Sequence, residues 1–441
     1  MSKKFLGVFL FCLCLSLTVQ AQVFNAQTFF LDNGLQVVVI ENHKAPIIKQ
    51  MLVYKAGAVD EKVGKGGVAH LLEHLMFRGT KKVRGQEFNR IMEKNGAESN
   101  AFTAQDMTAY YQFIDVSRLE LAMLLEADLM KNLAFTGDDF SAERSIVFQE
   151  RKQRVDNNPT ALFSEKVKKV LWQNHPYGNP VTGRDEEILD LTEKDVFDFY
   201  HRYYAPNNAV LVLSGDIDLQ TAKNLANKYY GSLKPVKIEQ KEFIYLPQVY
   251  KARLEMSLPE VKIAKVVRIY VVPSFIQNPK RAYALDVLSE YLTGDRSAPM
   301  YQKLVVKEKK ALGVDASYDG ISRSFGTFVL SAVPVQDANQ SFEKSLSDAF
   351  NQAIKEITPE KVEKVKRKML ADLVYLQDSP SSAAEMVALF IASGGKLEDL
   401  NGYAENLKRV TVEDVKEAVR LLSDKTPQVI GILYPQEKTD E

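Results

Sequence analysis

The sequence predicts an α+β protein of two homologous domains, each a mostly antiparallel sheet backed by helices. Strand-like apolar alternation and amphipathic helical patterns follow one another throughout the 441 residues. After a segment rich in Lys, Glu and Pro at 233–264, this pattern of strands and helices starts again. Residues 192–216 and 411–435 also share one layout, in which a Thr cap, an amphipathic helix, a loop and an apolar strand follow in order. These observations predict an internal duplication.

The first half begins with two strand-like stretches, FFLDNGLQVVVIEN and IIKQMLVYKAG, and the first of them contains the hairpin signal Asn33-Gly34. A helix that contains HLLEH follows and ends near Gly79, and QEFNRIMEKNG is the next helical pattern. ESNAFTAQDMTAYYQFI alternates in the manner of two antiparallel strands, and helical patterns then extend to Gln173. A helix opened by Thr192 and the apolar strand NAVLVLSGDI complete this half.

The second half repeats this order. The strand KVVRIYVVP, the helix PKRAYALDVLSEYLTG and strands near VDASYDG and GTFVLSAVP precede helices that extend to Ser423, and QVIGILY closes the chain as a strand. We therefore place an N-terminal domain at 22–232, an inter-domain linker at 233–264 and a homologous C-terminal domain at 265–441.

A second alignment between the halves concerns the helix that contains HLLEH. Ala69–His74 corresponds to Ala284–Ser289. The first half carries three polar residues at positions that hold Leu285, Leu288 and Ser289 in the second half. If the halves are repeats, only the first carries the polar trio.

The N-terminus has the pattern of a secretory signal peptide. Lys3 and Lys4 precede an apolar run from Phe5 to Val19, and Ala21 is the small residue before the expected cut. The run is shorter than the roughly 20 residues of a membrane span, and an uncleaved anchor is the alternative. We therefore assign 1–21 to a signal peptide and expect a periplasmic or secreted mature chain.

Composition argues against several classes of function. Both cysteines, Cys12 and Cys14, lie in the predicted signal peptide, so the mature chain would use no disulfide, cysteine nucleophile or thiolate ligand. The 57 basic and 57 acidic residues balance, which argues against a nucleic-acid partner. No later segment is apolar enough to span a bilayer, so we expect no stable membrane span after signal cleavage.

The segment HLLEH places two histidines and a glutamate in an otherwise apolar helix. Residues i, i+3 and i+4 share one face of a helix, so His70, Glu73 and His74 project together. Two imidazoles four residues apart can chelate one zinc ion, and a carboxylate beside them can take a proton from water that zinc activates. This is the H-x-x-E-H arrangement, the inverted form of the thermolysin-type motif. The alternative is three polar residues on a partly exposed helix.

A catalytic zinc needs a third protein ligand, and SAERSIVFQERKQRVDNNP supplies two candidates. Glu143 and Glu150 are seven residues apart, so two helical turns place them on the same face. Their spacing does not choose between them. The alternative is a solvated charged helix, which the neighbouring Arg144, Arg151 and Lys152 favour.

Taken together, DNGLQVVVIENHKAP, GGVAHLLEHLMFRGT, NGAESNAFTAQDMTAYY, ERSIVFQE and HPYGNPVTG resemble the pitrilysin/insulinase family of zinc metallopeptidases. The resemblance is to short two-domain members related to mitochondrial processing peptidase, and it covers essentially all of the first half. It implies a clamshell-type arrangement around a chamber and one zinc ion per chain, held by His70, His74 and Glu150. It further implies that Glu73 is the general base and that Glu143 orients a ligand by hydrogen bonding.

The resemblance also assigns a strand beside the site to substrate binding. Asn100, Ala101, Phe102 and Thr103 match an edge strand with which an extended peptide pairs through main-chain hydrogen bonds. A plain core strand is the alternative interpretation. His175, in the HPYG loop, is interpreted as structural, because the protein ligands of the zinc are already filled.

One feature departs from the family pattern. Active members often supply an arginine and a tyrosine from the second half to the scissile carbonyl. Here Val305 or Val306 stands at the arginine position and Val314 at the tyrosine position. The alternative is that Tyr318 or Arg323 substitutes for the pair within the chain, but we favour a partner subunit that carries the missing pair.

These interpretations lead to one functional prediction and one alternative. The prediction is a periplasmic or secreted zinc endopeptidase that cleaves short unfolded peptides. We expect a homodimer, or a heterodimer with a related subunit lacking the zinc motif, because short members have only two of the four domains that a closed chamber uses. The alternative is a non-catalytic scaffold or peptide-binding subunit of a complex with a related protein.

Overall fold

The computed structural model describes residues 24–85, 87–239, 251–336, 338 and 340–436. The predicted signal peptide at 1–21 lies outside these residues, as does part of the predicted linker. Two sheets, each backed by helices, make up the fold, which confirms the predicted fold class. Within the described ranges, no helix has the length and apolar character needed to cross a membrane.

The first half of the chain contributes the first sheet. Its strands are β1 (Ala26–Phe30), β2 (Gln36–Glu41), β3 (Ile47–Tyr54), β4 (Glu98–Thr103), β5 (Thr108–Asp115) and β6 (Ala209–Gly215). They lie in the order β1–β2–β6–β3–β5–β4, with β2 and β6 parallel and the other neighbours antiparallel. The helices are α1 (Val68–Met76), α2 (Glu87–Lys94), α3 (Leu119–Asn132), α4 (Gly137–Arg151), α5 (Pro159–Trp172), α6 (Asp185–Leu189), α7 (Glu193–Tyr203) and α8 (Leu219–Tyr230).

The second half contributes the second sheet. Its strands are β7 (Lys251–Leu258), β8 (Lys265–Pro273), β9 (Ala311–Asp319), β10 (Phe325–Pro334) and β11 (Gln428–Pro435). They lie in the order β7–β11–β8–β10–β9, with β7 and β11 parallel and the other neighbours antiparallel. The helices are α9 (Pro279–Thr293), α10 (Pro299–Tyr301), α11 (Gln340–Lys355), α12 (Pro359–Asp378), α13 (Pro380–Ala392), α14 (Leu397–Asn401), α15 (Tyr403–Arg409) and α16 (Val412–Arg420).

The strand order supports the predicted duplication. β2, β6, β3, β5 and β4 correspond one by one to β7, β11, β8, β10 and β9, and each set begins with its parallel pair. The two segments aligned in the sequence also have equivalent caps. The Thr192 side chain accepts the N–H of Asp195 at the start of α7, and the Thr411 side chain accepts that of Asp414 at the start of α16.

The structure differs from the sequence prediction at the linker. Lys251–Leu258, inside the range predicted to cross between domains, is the strand β7 at one end of the second sheet. Its residues alternate between exposed and half-buried. Charged side chains at every second position are typical of the solvent face of an edge strand. The same charges had suggested a linker.

Each half also covers a face of the other half's sheet. The helix α13 packs across β3 and β6, where Val387 and Ile391 join Met51 and Val212 in one apolar cluster. In return α5 packs on β11 and β7 of the second sheet. Gly431 in β11 permits this approach, because a Cβ there would lie only 2.7 Å from a methyl group of Val167 in α5. The two halves therefore form one continuous packed structure.

Candidate metal centre

The helix α1 presents the polar trio on one face and apolar residues on the others. Leu71, Leu72 and Leu75 are fully buried, whereas His70 and Glu73 are 7% and 9% exposed. Because burial of the leucines holds the helix against the core, the orientation of the trio is set by packing.

The start of α1 is anchored by a carboxylate from the preceding turn. Glu61 Oε1 accepts the backbone N–H groups of Gly67 and Ala69, each at 3.0 Å. Gly67 has a positive φ of 87°, and a Cβ there would lie 2.7 Å from the carbonyl oxygen of Thr182. Only glycine suits this entry to the helix.

Glu150 comes from α4, which packs against α1. Its Oε1 lies 3.8 Å from Nε2 of His70, and its Oε2 lies 3.4 Å from Nε2 of His74. One ligand atom from each of the three residues lies within 4.8 Å of the other two. Two imidazole nitrogens and one carboxylate oxygen are a donor set that suits zinc. The residues present therefore fit the predicted metal.

Glu143, one of the two glutamates that spacing left open, lies behind His74. Its Oε2 is 3.0 Å from Nδ1 of His74, and its Oε1 accepts a hydrogen bond from Nε of Arg78 at 2.8 Å. The Glu143 carboxylate thus binds Nδ1 of His74, so that Nε2 of the same ring faces Glu150. Metal-binding histidines usually have such a partner. Nδ1 of His70 is buried and has no hydrogen-bond partner in the described part of the chain.

The charges of the two histidines differ. Burial lowers the pKa of His70 to about 3, and the nearby His74 and Arg154 act in the same direction. Burial also opposes the charged form of His74, but the hydrogen bond and charge of Glu143 outweigh it and raise the pKa of His74. His70 is therefore neutral at physiological pH, which is the protonation state that binds metals.

Glu73 is buried beside these donors. Burial raises the pKa of its carboxyl group, and the hydrogen bond from Thr103 opposes this rise. Thr103 Oγ1 donates to Glu73 Oε2 at 2.5 Å. A carboxylate whose pKa is raised is better suited to take up a proton during a reaction. The sequence had placed Thr103 near the site but had not predicted this contact.

The predicted substrate strand, β4, is the last strand at one edge of the first sheet in the described part of the chain. Side chains alternate along a strand, so Thr103 and Ala101 face α1, whereas Asn100 and Phe102 face the side that α13 partly covers. Asn100 Oδ1 accepts the N–H of Ala101 at 2.9 Å. Of the four predicted residues, the structure brings Thr103 into contact with the site and places the other three along the same edge.

A cavity of about 600 Å³ borders this edge. Met92 and Glu93 of α2 line one side, and Glu98, Ser99 and Asn100 of β4 line the other. A larger cavity of about 900 Å³ lies between the halves, next to the turn Ala104–Met107, and its described lining contains none of the three metal donors. The sequence did not indicate either cavity, because their walls come from segments far apart in the chain.

The two proposed substitutes for the missing arginine and tyrosine are both engaged elsewhere. The Tyr318 hydroxyl donates to the carbonyl oxygen of Pro273 at 2.7 Å. Arg323 makes ion pairs with Asp60 and Asp106. Neither side chain is a free donor for a substrate carbonyl, which weakens the hypothesis that the chain replaces the pair by itself.

His175 lies in a structural network. Its Nδ1 accepts the N–H of Tyr177 at 3.1 Å, and its Nε2 is 3.2 Å from the Ser324 hydroxyl of the second half. Burial lowers the pKa of His175 to about 4, so the ring is neutral. This geometry agrees with the structural interpretation.

Comparison with known proteins gives consistent results. The family model described as "Insulinase (Peptidase family M16)" matches residues 36–185, and the one described as "Peptidase M16 inactive domain" matches residues 190–369. A "Zinc protease PqqE" of Helicobacter pylori is 30% identical over 433 residues, which cover 96% of each chain. A crystal structure of a protease from Helicobacter pylori superposes with a TM-score of 0.86 at 28% identity, over 93% of this chain and 99% of that one. The periplasmic protease PqqL of Escherichia coli shares the fold over 48% of its length, with a TM-score of 0.77 at 19% identity and 94% of this chain covered.

Proposed function

This chain belongs to the insulinase family of peptidases, family M16, and on that premise we propose that it is a zinc-dependent endopeptidase. Its substrates are short unfolded peptides. The observation that carries the proposal is the meeting of His70, His74 and Glu150, with ligand atoms within 4.8 Å of one another, beside the buried carboxyl group of Glu73. Three such donors leave an open position, as catalytic zinc sites require.

In this proposal His70, His74 and Glu150 hold one zinc ion per chain. Zinc, when bound, supplies Lewis acidity, which lowers the pKa of water and polarises a carbonyl group. Glu73 takes the proton from the attacking water and passes it to the departing amine nitrogen. Thr103 holds the Glu73 carboxylate by its hydrogen bond, and Glu143 holds the His74 ring.

The substrate pairs with the free edge of β4. An extended peptide forms main-chain hydrogen bonds with such an edge and so gains affinity without strict demands on its sequence. Ala101 and Thr103 alternate with Asn100 and Phe102 along this strand. The two faces of a bound peptide would therefore have surroundings that differ from each other. The 600 Å³ cavity beside β4 offers room for the peptide.

A partner subunit completes the site in this proposal. A donor to the developing oxyanion contributes about 3 kcal/mol of transition-state stabilisation. Val314 packs against the core of the second half, and Tyr318 and Arg323 are engaged in other contacts. A heterodimer with a related subunit that bears arginine and tyrosine would restore this donor, whereas a homodimer would supply only the two further domains of a closed chamber. The predicted signal peptide at 1–21 supports a location of the complex in the periplasm or outside the cell.

The second candidate function is a non-catalytic scaffold or peptide-binding subunit. Two observations favour it: the missing arginine–tyrosine pair and the match of 190–369 to a domain described as inactive. The complete donor set of the first half favours the peptidase.

One experiment separates the candidates. The purified mature chain is incubated with a quenched library of unstructured peptides, with zinc or with a chelator, and bound metal is measured. We expect Glu73→Gln to keep stoichiometric zinc and to lose about 10²- to 10⁴-fold in kcat. Glu186→Gln, an exposed change in α6, is the matched control and should leave both unchanged. Stoichiometric zinc binding without cleavage would indicate that a partner subunit is missing from the assay. Absence of zinc binding would refute the peptidase and favour the scaffold or peptide-binding subunit.

A further inference from the structure

A cluster of buried charges joins the two halves beside the β4–β5 turn. Asp60 and Asp106 belong to the first half, and their side chains are 5% and 7% exposed. Arg323, between β9 and β10 of the second half, reaches both of them. Its Nη2 lies 2.6 Å from Asp60 Oδ2 and its Nε 3.2 Å from Asp106 Oδ1, and its backbone N–H donates to Asp106 at 2.9 Å.

The turn Ala104–Met107 is held from its other side by the first half. The N–H groups of Ala58 and Val59 donate to the carbonyl oxygens of Ala104 and Gln105 at 3.1 and 3.0 Å. Gly57 packs so closely that a Cβ there would lie 2.4 Å from the Ala104 oxygen. The turn therefore lies between a fixed loop and Arg323.

Tyr177 completes the charge cluster. Its hydroxyl donates to Asp106 at 2.8 Å and accepts the backbone N–H of Ser324 at 3.1 Å. The N–H of Gly57 donates to Asp60 at 3.0 Å. Both carboxylates are thus hydrogen-bonded, and the guanidinium of Arg323 is a cation that pairs with both of them. Removing it would leave two buried carboxylates without that cation, which is strongly unfavourable.

The turn connects directly to the candidate site. Thr103, the last residue of β4, is three positions before Asp106, and its hydroxyl donates to Glu73. A shift of the turn would therefore move the donor that holds Glu73 and would move the free edge of β4. Misplacement of a reacting group by about 1 Å can lower a rate by about 100-fold.

We infer that Arg323 is a positioning residue: by anchoring the β4–β5 turn across the boundary between the halves, it holds Thr103 against Glu73 and β4 in place for the substrate. The catalytic consequence rests on the proposed peptidase function, whereas the anchoring of the turn does not. The second half, whose described residues contribute none of the three metal donors, thus takes part in shaping the site.

The anchoring is tested first on the zinc-free full mature chain by hydrogen exchange. Arg323→Met should speed exchange of the amides at 100–108 by about tenfold or more, because local opening sets their exchange rate. The matched control is Glu385→Gln, which removes another ion pair between the halves, with Lys49 at 2.6 Å, on the α13 side of the sheet. Exchange at 100–108 that is unchanged in Arg323→Met would overturn the inference. So would exchange there that is as fast in Glu385→Gln as in Arg323→Met.

The catalytic consequence is tested on the zinc-loaded chain, with its partner if one is required. Arg323→Met should keep stoichiometric zinc and lower kcat by about 10- to 100-fold, with a smaller change in KM. In a Thr103→Val background, Arg323→Met should lower kcat little further, because both substitutions act on the contact between Thr103 and Glu73. Additive losses would overturn the coupling through Thr103.

The controls keep the two proposals distinguishable. Glu385→Gln should leave kcat unchanged. If Arg323→Met does not fold, Arg323→Lys keeps the charge but cannot reach both carboxylates in the same fork, and intermediate values of exchange and kcat are expected. A wild-type chain that cleaves no peptide even with a related partner subunit present refutes the peptidase proposal, while the exchange result still decides the anchoring.

Discussion

The buried acid Glu126 yields a prediction whose magnitude follows from the structure. Its side chain in α3 is 1% exposed; Oε1 accepts a hydrogen bond from Gln112 at 2.6 Å, and Oε2 has no hydrogen-bond partner among the described residues. Burial raises the pKa of Glu126 from 4.5 to about 7, against the opposing hydrogen bond from Gln112. The folded chain therefore binds this proton more tightly than the unfolded chain does.

The sign of the pH dependence follows from this difference. Between pH 4.5 and about 7 the folded state holds more protons than the unfolded state, so the free energy of unfolding falls as the pH rises. Each unit of pKa difference corresponds to about 1.4 kcal/mol, so the loss by pH 8 is about 3 kcal/mol. Glu126→Gln remains neutral at every pH and can accept the same hydrogen bond. We expect the variant to match wild type near pH 4.5 and to exceed it by about 3 kcal/mol at pH 8.

The assay is urea unfolding of the mature chain at both pH values, with a chelator present to remove any contribution from metal. Glu120→Gln, on the same helix but exposed, is the matched control. It removes a carboxylate whose hydrogen bonds with Lys228 and Tyr229 lower its pKa, so it should give no gain at pH 8. A Glu126→Gln effect that is equal at pH 4.5 and pH 8 would refute the reasoning.

Two further predictions concern the metal centre and the packing of the halves. Glu143→Gln should weaken zinc binding by about 10- to 100-fold, measured by competition with a chelator, because the carboxylate that holds His74 is lost; undiminished affinity would contradict this role. Gly431→Ala should destabilise the chain by about 1–3 kcal/mol in urea unfolding, because its Cβ would meet Val167 at 2.7 Å. Gly313→Ala in β9, where a Cβ meets nothing within 4 Å, is the control, and an equal effect at both positions would contradict the packing argument.

The helical period explains why the trio could be predicted. His70, Glu73 and His74 lie on one face of α1 because any α-helix places i, i+3 and i+4 together, and this needs no tertiary information. The choice between Glu143 and Glu150 could not be made this way. Both lie on the same face of α4, and only the packing of α4 against α1 decides which of them approaches Nε2 of His74.

Long-range contacts account for what the sequence did not predict. The apolar stripe of α13 predicts that the helix is buried, but the stripe does not say that it lies on the sheet of the other half. Hairpin and helix signals predicted the strands, yet the order that places β4 at the end of its sheet depends on pairings far apart in the chain. The segment Lys251–Leu258 was misassigned because an edge strand with one charged face resembles a polar linker in composition.

The duplicated helix of the second half shows why a repeat that lacks the polar trio can persist. In α9 the positions of the trio hold Leu285, Leu288 and Ser289, and the two leucines are fully buried in the second core. A buried leucine contributes about 1.5–3 kcal/mol to stability, whereas a buried histidine or glutamate must be compensated by partners.

The first half retains this less favourable arrangement in α1, and the second half supplies support for it. The helix α13 covers the face of the first sheet that contains Met51 and Val212, and Arg323 compensates two buried carboxylates next to the substrate strand. Removing the second half would expose that apolar face and leave Asp60 and Asp106 without their cation. The halves have therefore diverged in chemistry while each remains necessary for the packing of the other.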